Sequence, residues 1–448
     1  MTIDRATPSL GPIAPAAGGP SDASRSLAAL PGRQALLERL RELGRAPAGE
    51  GPAILLAIVS ADELARISDS LGPGPADAIL AEMAQRLLRL AGPDPLLARI
   101  DREEFALVGP ALADESALRD WSTELTAWLR QPYRAGGMEI AAPASVGVAQ
   151  GPACDGGGFA LLRSAEMAQF AARSSGGDRV SYFRPQLRNQ LVQRVRDCRN
   201  AGNFTLHYQP ILTLASPRRL VGAESLLRWR HPVRGLLFPG DFRPIFEDER
   251  TAQLIGELVI EEAAIQARRW LDQGVEVGRL AINASAAWLR APGSVEALIG
   301  ALGRRRVPPG RIALEVPEDV YCAPDRAELS GLLAALRGRG IEVHVDGWAL
   351  GMACPAELSA LPIDGLKLDR TMLAEATDEA LAALVAEARE RALVVTAEGV
   401  ELEEQAARLE VLGCERAQGW LFARPMAGAK MAAFRDKLAG RGPAARAA

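Results

Sequence analysis

The chain has 448 residues, 48% hydrophobic and 24% charged, which excludes a disordered polymer and allows two or three domains with proper cores. Lys and Arg number 52 against 56 Asp and Glu, for a net charge of -4, so no basic excess directs it toward nucleic acid. Its five cysteines, Cys154, Cys198, Cys322, Cys354 and Cys414, lie far apart with no C-x-x-C spacing, which argues against a disulfide framework or a zinc site and for reduced thiols that pack.

Residues 1–27, rich in Ala, Pro, Gly and Ser, lack both the basic start and the apolar core of a signal peptide and read as a flexible tail. From 28 to 185 the pattern alternates. A helix "GRQALLERLREL" precedes a strand "AILLAIVS" and a helix "ADAILAEMAQRLLRL"; "LLARIDREEFALVG" then reads as two short strands around a polar tip. A helical stretch near 115–130, a strand ending in "PASVGVA", a helix "FALLRSAEMAQFAARS" and a closing strand "RVSYF" complete a modest α/β sandwich. Leu187, Leu191 and Val195 fall at helical spacing, so 186–203 reads as a linking helix. The longest clean apolar run, "AILLAIV", is far short of the ~20 residues a membrane helix needs, so no membrane segment and a cytoplasmic location are expected.

A second rhythm runs from 204 to 437, with 438–448 left as another flexible tail. Eight strand candidates, "FTLHYQPILTL", "VGAESLLRW", "RLAINAS", "RIALEVPE", "IEVHVDG", "GLKLD", "ALVVTAEGV" and "ERAQGWLF", alternate with helix-length amphipathic segments. Repeated strand and helix units over this length favour a TIM-like (β/α) barrel over an open sheet. Glu224, Asn283, Glu315, Asp346, Lys367, Glu398 and Gln418 each sit in or just beyond one of these runs, toward its C-terminal end. In a barrel those ends share one face. Carboxylates gathered without a cation repel one another, and oxygen ligands of this kind suit magnesium, manganese or calcium rather than zinc. The residues alone therefore point to a hard-metal site, with Lys367 nearby to hold a phosphate or orient a water.

"LHYQPI", "GAESLLRWRHPVRGLLFPGDF", "INAS", "LEVPE", "LPIDGLKLDR", "AEGVELEEQ" and "GCERAQGWLFARP" occur in the order and at about the spacing of EAL domains, so 190–437 resembles these phosphodiesterases of cyclic di-GMP. The N-terminal half resembles the GGDEF domain, a diguanylate cyclase fold, through "LPGRQALLERL", "ISDSLGPGPADAIL", "ARIDREEFALVG", "ASVGVA" and "RVSYF". The EAL resemblance implies metal ligands at Glu224, Asn283, Glu315 and Asp346, action on the attacking water by Lys367 and Glu398, and a phosphate contact at Arg228. It further implies a ligand pocket that includes Gln209, Leu226, Asn283, Asp346, Glu398 and Gln418, and a loop steadied by Glu318. Magnesium or manganese is the implied cofactor, cyclic di-GMP the implied partner, and a homodimer through the barrel the implied assembly. Ser225, in place of the middle Ala of the signature, is a small change.

Two departures shape the functional expectation. In the N-terminal half the signature pentapeptide is "DREEF", so Asp101 and Arg102 put side chains where the family's glycines let the backbone approach the nucleotide. Ser60 stands for the first metal-binding Asp, Ser68 for a guanine-contacting Asn and Ala172 for a phosphate-binding Lys; Asp77, Glu103 and Glu104 keep their types, and no R-x-x-D inhibitory site precedes the hairpin. The four residues Asp101 to Glu104 then read as a solvated hairpin tip, and no cyclase activity is expected. In the barrel the family's two consecutive aspartates become Asp346 and Gly347, and "WALGMAC" replaces the activation loop that follows, with Leu350, Gly351 and Met352 expected to pack against protein. Two metals about 3.5 to 4 Å apart need bridging carboxylates, so a second ion should bind poorly or not at all. The reading best supported by these departures is a catalytically inactive receptor for cyclic di-GMP. A slow metal-dependent phosphodiesterase making linear pGpG, and a nucleotide-independent scaffold, are its alternatives.

Overall fold

The computed structural model describes residues 27–47, 50–90, 95–154, 157–246, 248–322, 325–348 and 361–440. The chain divides into two compact units, 1–191 and 192–448. The helix Pro185–Asn200 contains the division point.

The first unit is a five-stranded sheet in the order β2-β3-β1-β6-β7, formed by β1 (Ala53–Ala61), β2 (Leu96–Asp101), β3 (Glu104–Pro110), β6 (Ala144–Pro152) and β7 (Arg179–Tyr182). Central β1 runs antiparallel to both β3 and β6 and is buried along almost its whole length, which is why its sequence is continuously apolar rather than alternating. One face carries Leu55, Val59, Ile79, Met83 and Phe105; the other carries Leu56, Ile58, Leu36, Leu40 and Leu162. Leu27, which the sequence places in the flexible tail, is buried in the first of these clusters.

Two elements of this unit are absent from the sequence reading. Leu64–Leu71 forms its own short helix, with Leu64, Ile67 and Leu71 at helical spacing. A separate hairpin joins β4 (Tyr133–Ala135) to β5 (Met138–Ile140) through Gly136 and Gly137, whose φ values of +61° and +78° fit a two-residue turn that favours glycine at both positions. The "GG" pair between short apolar stretches was the available signal.

The second unit closes into an eight-stranded barrel. β8 (Phe204–Thr213), β9 (Leu220–His231), β11 (Arg279–Asn283), β12 (Ile312–Pro317), β13 (Glu342–Trp348), β14 (Gly365–Leu368), β15 (Val394–Ala397) and β16 (Arg416–Ala417) pair in the ring β9-β11-β12-β13-β14-β15-β16-β8, closed by β8 on β9. Strands β9 through β16 pair in parallel, whereas β8 is antiparallel to both neighbours. Two short strands sit outside the ring, β10 (Gly235–Leu237) on β9 and β17 (Met426–Ala427) on β8. The eighth strand candidate is shorter than its sequence implies. Only Arg416 and Ala417 pair, and from Gly419 the chain turns, with the Phe422 and Ala423 amides donating to the Gly419 carbonyl. Among the described residues no helix is long and apolar enough to cross a membrane, and Cys154, Cys198 and Cys414 are free thiols.

Candidate functional site

Strand pairing sets the positions of the polar residues before any side chain is considered. Asn283 is the partner of Glu315, Ala281 of Glu224, and Gln209 of Glu224 across the antiparallel β8–β9 pair. Asp346 pairs with Pro317, the last residue of β12, and Glu398 and Gln418 directly follow β15 and β16. Successive parallel strands thus deliver one polar group each to the same rim of the barrel, the face on which barrel enzymes assemble their chemistry.

At the centre lies Lys367. Its side chain is 1% exposed, and its Nζ lies 2.5 Å from Glu398 Oε1, 2.8 Å from Glu315 Oε2, 3.2 Å from Glu224 Oε2 and 3.5 Å from Asp346 Oδ1. Two amides complete the ring. Asn283 Nδ2 donates to Glu224 Oε1 at 2.7 Å, and Gln418 Nε2 donates to Glu224 Oε2 at 2.6 Å and Glu398 Oε1 at 3.2 Å. The expectation that Lys367 holds a phosphate is corrected by this arrangement, because an ammonium buried among four carboxylates is not available to a ligand phosphate.

The charges follow from burial and the single cation. Burial raises the Glu315 carboxyl well above the usual carboxylate range, with the neighbouring charges of Glu224 and Asp346 adding to the shift and Lys367 opposing it. Burial likewise pushes Glu398 up to about 7. For Glu224 burial also acts upward, but Lys367 and the Gln418 and Asn283 amides outweigh it and hold the group below its ordinary value. Lys367 pays the cost of desolvation and is nevertheless held well above the ordinary lysine range by the carboxylates around it.

Four carboxylates against one ammonium leave an excess of negative charge. Glu315 Oε1 and Gln418 Oε1 are buried without a hydrogen-bond partner. These orphaned oxygens fit a hard divalent cation, which Glu224, Asn283, Glu315 and Asp346 would hold. Among the described residues no group of His, Cys, Asp and Glu side chains already converges as a cage, and such a cation would compete with the Lys367 ammonium for the same oxygens.

Gly347 follows Asp346 at a φ of +73°, and a Cβ built there meets nothing within 4 Å. The position therefore has room for a carboxylate but a backbone conformation that an L side chain adopts at some cost. The replacement loop at 349–360, with Leu350, Gly351 and Met352, lies outside the described residues.

The remaining sequence candidates surround this cluster. Gln209 is buried and donates from Nε2 to the Ala423 carbonyl at 3.3 Å. Ser225 is buried and donates to the Ala281 carbonyl at 2.7 Å, so the hydroxyl is absorbed by the neighbouring strand. Glu318 is buried one residue beyond β12. Arg228 is 4% exposed, donates from Nη1 to the Leu227 carbonyl at 2.9 Å and leaves its buried Nε without a partner. A cleft of about 390 Å³ adjoins the cluster, lined by Glu224, Leu226, Pro239, Asn283, Trp288 and Asp346 among others. Trp288 and Pro239 were not singled out in the sequence; an aromatic and a proline on connecting segments carry no periodic signal.

The N-terminal unit offers no comparable cluster at the positions its family uses. Ser60 is fully buried with an unpartnered hydroxyl, Ala172 is fully buried, and Ser68 is half-buried. Asp101 and Arg102 are exposed, the Arg102 amide donating to Asp101 Oδ1 at 2.6 Å. The solvated-tip expectation fails for Glu103 and Glu104, which are half-buried; Glu104 accepts from Gln169 Nε2 at 3.5 Å and lies 3.8 Å from Arg173 Nη1.

Comparisons with known proteins agree with both halves. The family model for the EAL domain matches residues 191–425, and that for the diguanylate cyclase GGDEF domain matches 25–179. A curated relative is the bifunctional diguanylate cyclase/cyclic di-GMP phosphodiesterase MucR of Pseudomonas aeruginosa, 32% identical over 90% of this chain and 60% of its own length. Another is the cyclic di-GMP phosphodiesterase PdeR of Escherichia coli, 29% identical over 82% of this chain and 56% of the relative. The chain thus spans about 60% of the length of such relatives. A solved structure of the PaMucR phosphodiesterase with c-di-GMP aligns with a TM-score of 0.50 and 36% identity over 54% of this chain and 99% of that one. The EAL enzyme Bd1971, bound to cAMP and cyclic-di-GMP, aligns at a TM-score of 0.52 over 76% of this chain and 92% of its own, and at 22% identity it shows the fold alone. The chain belongs to the EAL domain family, with a GGDEF domain ahead of the barrel.

Proposed function

We propose that this chain is a catalytically inactive receptor for cyclic di-GMP, holding the nucleotide on the rim of its barrel without hydrolysing it, with no diguanylate cyclase activity. The observation that carries the reading is Gly347. Where the family pattern has a second aspartate beside Asp346, this chain has a glycine at φ +73° with open space around it. Binding a dinucleotide needs phosphate and base contacts, for which Gln209, Leu226, Arg228, Asn283, Glu398 and Gln418 remain. Two-metal hydrolysis needs a carboxylate that is missing. A divalent ion bound at the remaining oxygens would supply a Lewis acid and a water of lowered pKa. Lys367 and Glu398, 2.5 Å apart, would hold or pass a proton beside it. The relatives MucR and PdeR, named as cyclic di-GMP phosphodiesterases, support the choice of ligand.

Calorimetric titration of the full chain with cyclic di-GMP in magnesium, followed by analysis of the same sample for linear product, tests the reading. Micromolar or tighter binding, about -8 kcal/mol or better, with intact nucleotide is the expected result. No heat and no product would leave a scaffold acting through protein contacts.

A slow phosphodiesterase is the second reading, favoured by the convergence of Glu224, Glu315, Asp346, Lys367 and Glu398 within one cluster. It requires linear pGpG to accumulate with rising manganese or magnesium, and Gly347→Asp to raise that rate. A measurable rate left unchanged by Gly347→Asp would remove the two-metal explanation.

A further inference from the structure

β9 extends beyond the barrel rim and turns back on itself as β10, with Gly235 paired to His231, Leu236 to Arg230 and Leu237 to Trp229. Continuing that antiparallel register by one residue sets Phe238 opposite Arg228. The side chains do meet: the Arg228 guanidinium lies over the Phe238 ring at 4.9 Å from its centroid. The hairpin is pinned at this point, because Asp241 Oδ2 accepts from the Phe238 amide at 2.8 Å while Asp241 Oδ1 lies 3.3 Å from Arg234 Nη2.

The two partners are differently placed. Arg228 is 4% exposed, with a buried Nε that has no partner, whereas Phe238 is 52% exposed. Val233 and Leu236 of the same hairpin are also exposed, and exposed apolar residues grouped together mark interaction surfaces. The chain neighbours of Arg228 and Phe238, Leu227 and Pro239, line the cleft beside the carboxylate cluster. Leu226, two residues before Arg228 and on the same face of β9, also lines that cleft.

We propose that Phe238 is a ligand-positioning residue: its ring holds the Arg228 guanidinium in place by stacking and presents its open surface to a purine base of the nucleotide whose phosphate Arg228 reads. This deepens the receptor reading and rests on it. An aromatic ring reads a base by its π-face and a guanidinium reads a phosphate by its donors, so an arginine and a ring in contact suit a nucleotide and not a bare anion. The cation–π contact also restrains a long side chain that otherwise loses rotamer freedom on binding.

The test compares full-length wild type with Phe238→Ala, Phe238→Tyr and Phe238→Trp, titrated with cyclic di-GMP and separately with inorganic pyrophosphate. Phe238 is too exposed for its truncation to unfold the barrel, and circular dichroism of each variant checks this. The Phe238→Ala variant is expected to bind cyclic di-GMP about tenfold or more weakly, with a smaller change for pyrophosphate. Phe238→Tyr should restore wild-type affinity, and Phe238→Trp should add, over the fluorescence of the seven native tryptophans, a nucleotide-dependent quench larger than that of the wild type. Equal losses for the two probes would reduce Phe238 to a support for Arg228 and overturn base stacking. Wild-type binding with an unchanged Phe238→Ala affinity would overturn the inference alone. Failure of the wild type to bind would overturn the receptor reading and this inference together.

Discussion

The barrel rim and the hairpin of the first unit both carry charged side chains, and they hold them in different ways. In the barrel six polar residues meet around Lys367, and Glu224, Glu315 and Gln418 among them are buried. Removing Lys367 would leave the carboxylates with uncompensated charge in a poorly solvated interior, which is among the costlier single changes a fold can take. On the hairpin of the first unit, Asp101 and Arg102 face solvent, where a substitution leaves nothing stranded. Gly347, beside the barrel cluster, sits where a Cβ would meet nothing within 4 Å but at a φ of +73° that favours glycine. A charge interlocked with others constrains substitution at its neighbours, whereas a charge facing water does not.

The largest effect expected from this contrast is at Lys367. Lys367→Met leaves four carboxylates with no cation and should cost about 3–5 kcal/mol of barrel stability, read from urea unfolding in chelator, with magnesium restoring part of the loss. A midpoint unchanged in chelator would mean that the cluster does not depend on its lysine.

Protonation gives the next effect. Burial raises Glu398 from 4.5 to about 7 in the metal-free protein. A raised folded-state value means that the folded protein holds the extra proton, so this contribution is fully present below about pH 4.5 and is lost as pH rises through about 7. Magnesium favours the ionised carboxylates, so its binding near pH 7 should release protons. Titrations in two buffers of different ionisation enthalpy would show this; identical apparent heats would contradict it.

In the first unit the interior asks for more than its surface. Asp62 accepts from the buried Ser145 hydroxyl at 2.9 Å and the Asp178 amide at 3.0 Å. Asp62→Ala should destabilise that unit by about 1–3 kcal/mol through the donors it leaves unmet, seen as an earlier loss of amide protection there than in the barrel. The smallest effect belongs to the hairpin tip. Arg102→Gly should shift stability by no more than about 0.5 kcal/mol and, with Ser60 and Ala172 unchanged, should not confer GTP binding by calorimetry.

Much of the site could be read without coordinates, because each parallel strand that carries one polar residue toward its C-terminal end also carries a local apolar run that marks it. Glu224, Asn283, Glu315, Asp346, Lys367, Glu398 and Gln418 were found that way. Their roles were less legible. Lys367 reads in sequence as a free cation near a strand end, and only the closure of the barrel shows it enclosed by four carboxylates. Glu104 reads as an exposed tip residue, yet Gln169 and Arg173, distant in the chain, make it part of a packed edge.

Periodicity, composition and the motif order by themselves determined that the chain has two α/β units, that the second is a barrel and that polar groups collect at one end of its strands. These are consequences of which faces must be buried, and burial is written locally, residue by residue. Tertiary structure alone decided which groups touch. The pairing of Phe238 with Arg228 depends on the register of a hairpin, and the shared charge of the cluster depends on strands separated by up to 174 positions, from Glu224 to Glu398. Contact energies between such residues fall off within a few ångströms, a distance that sequence separation does not record.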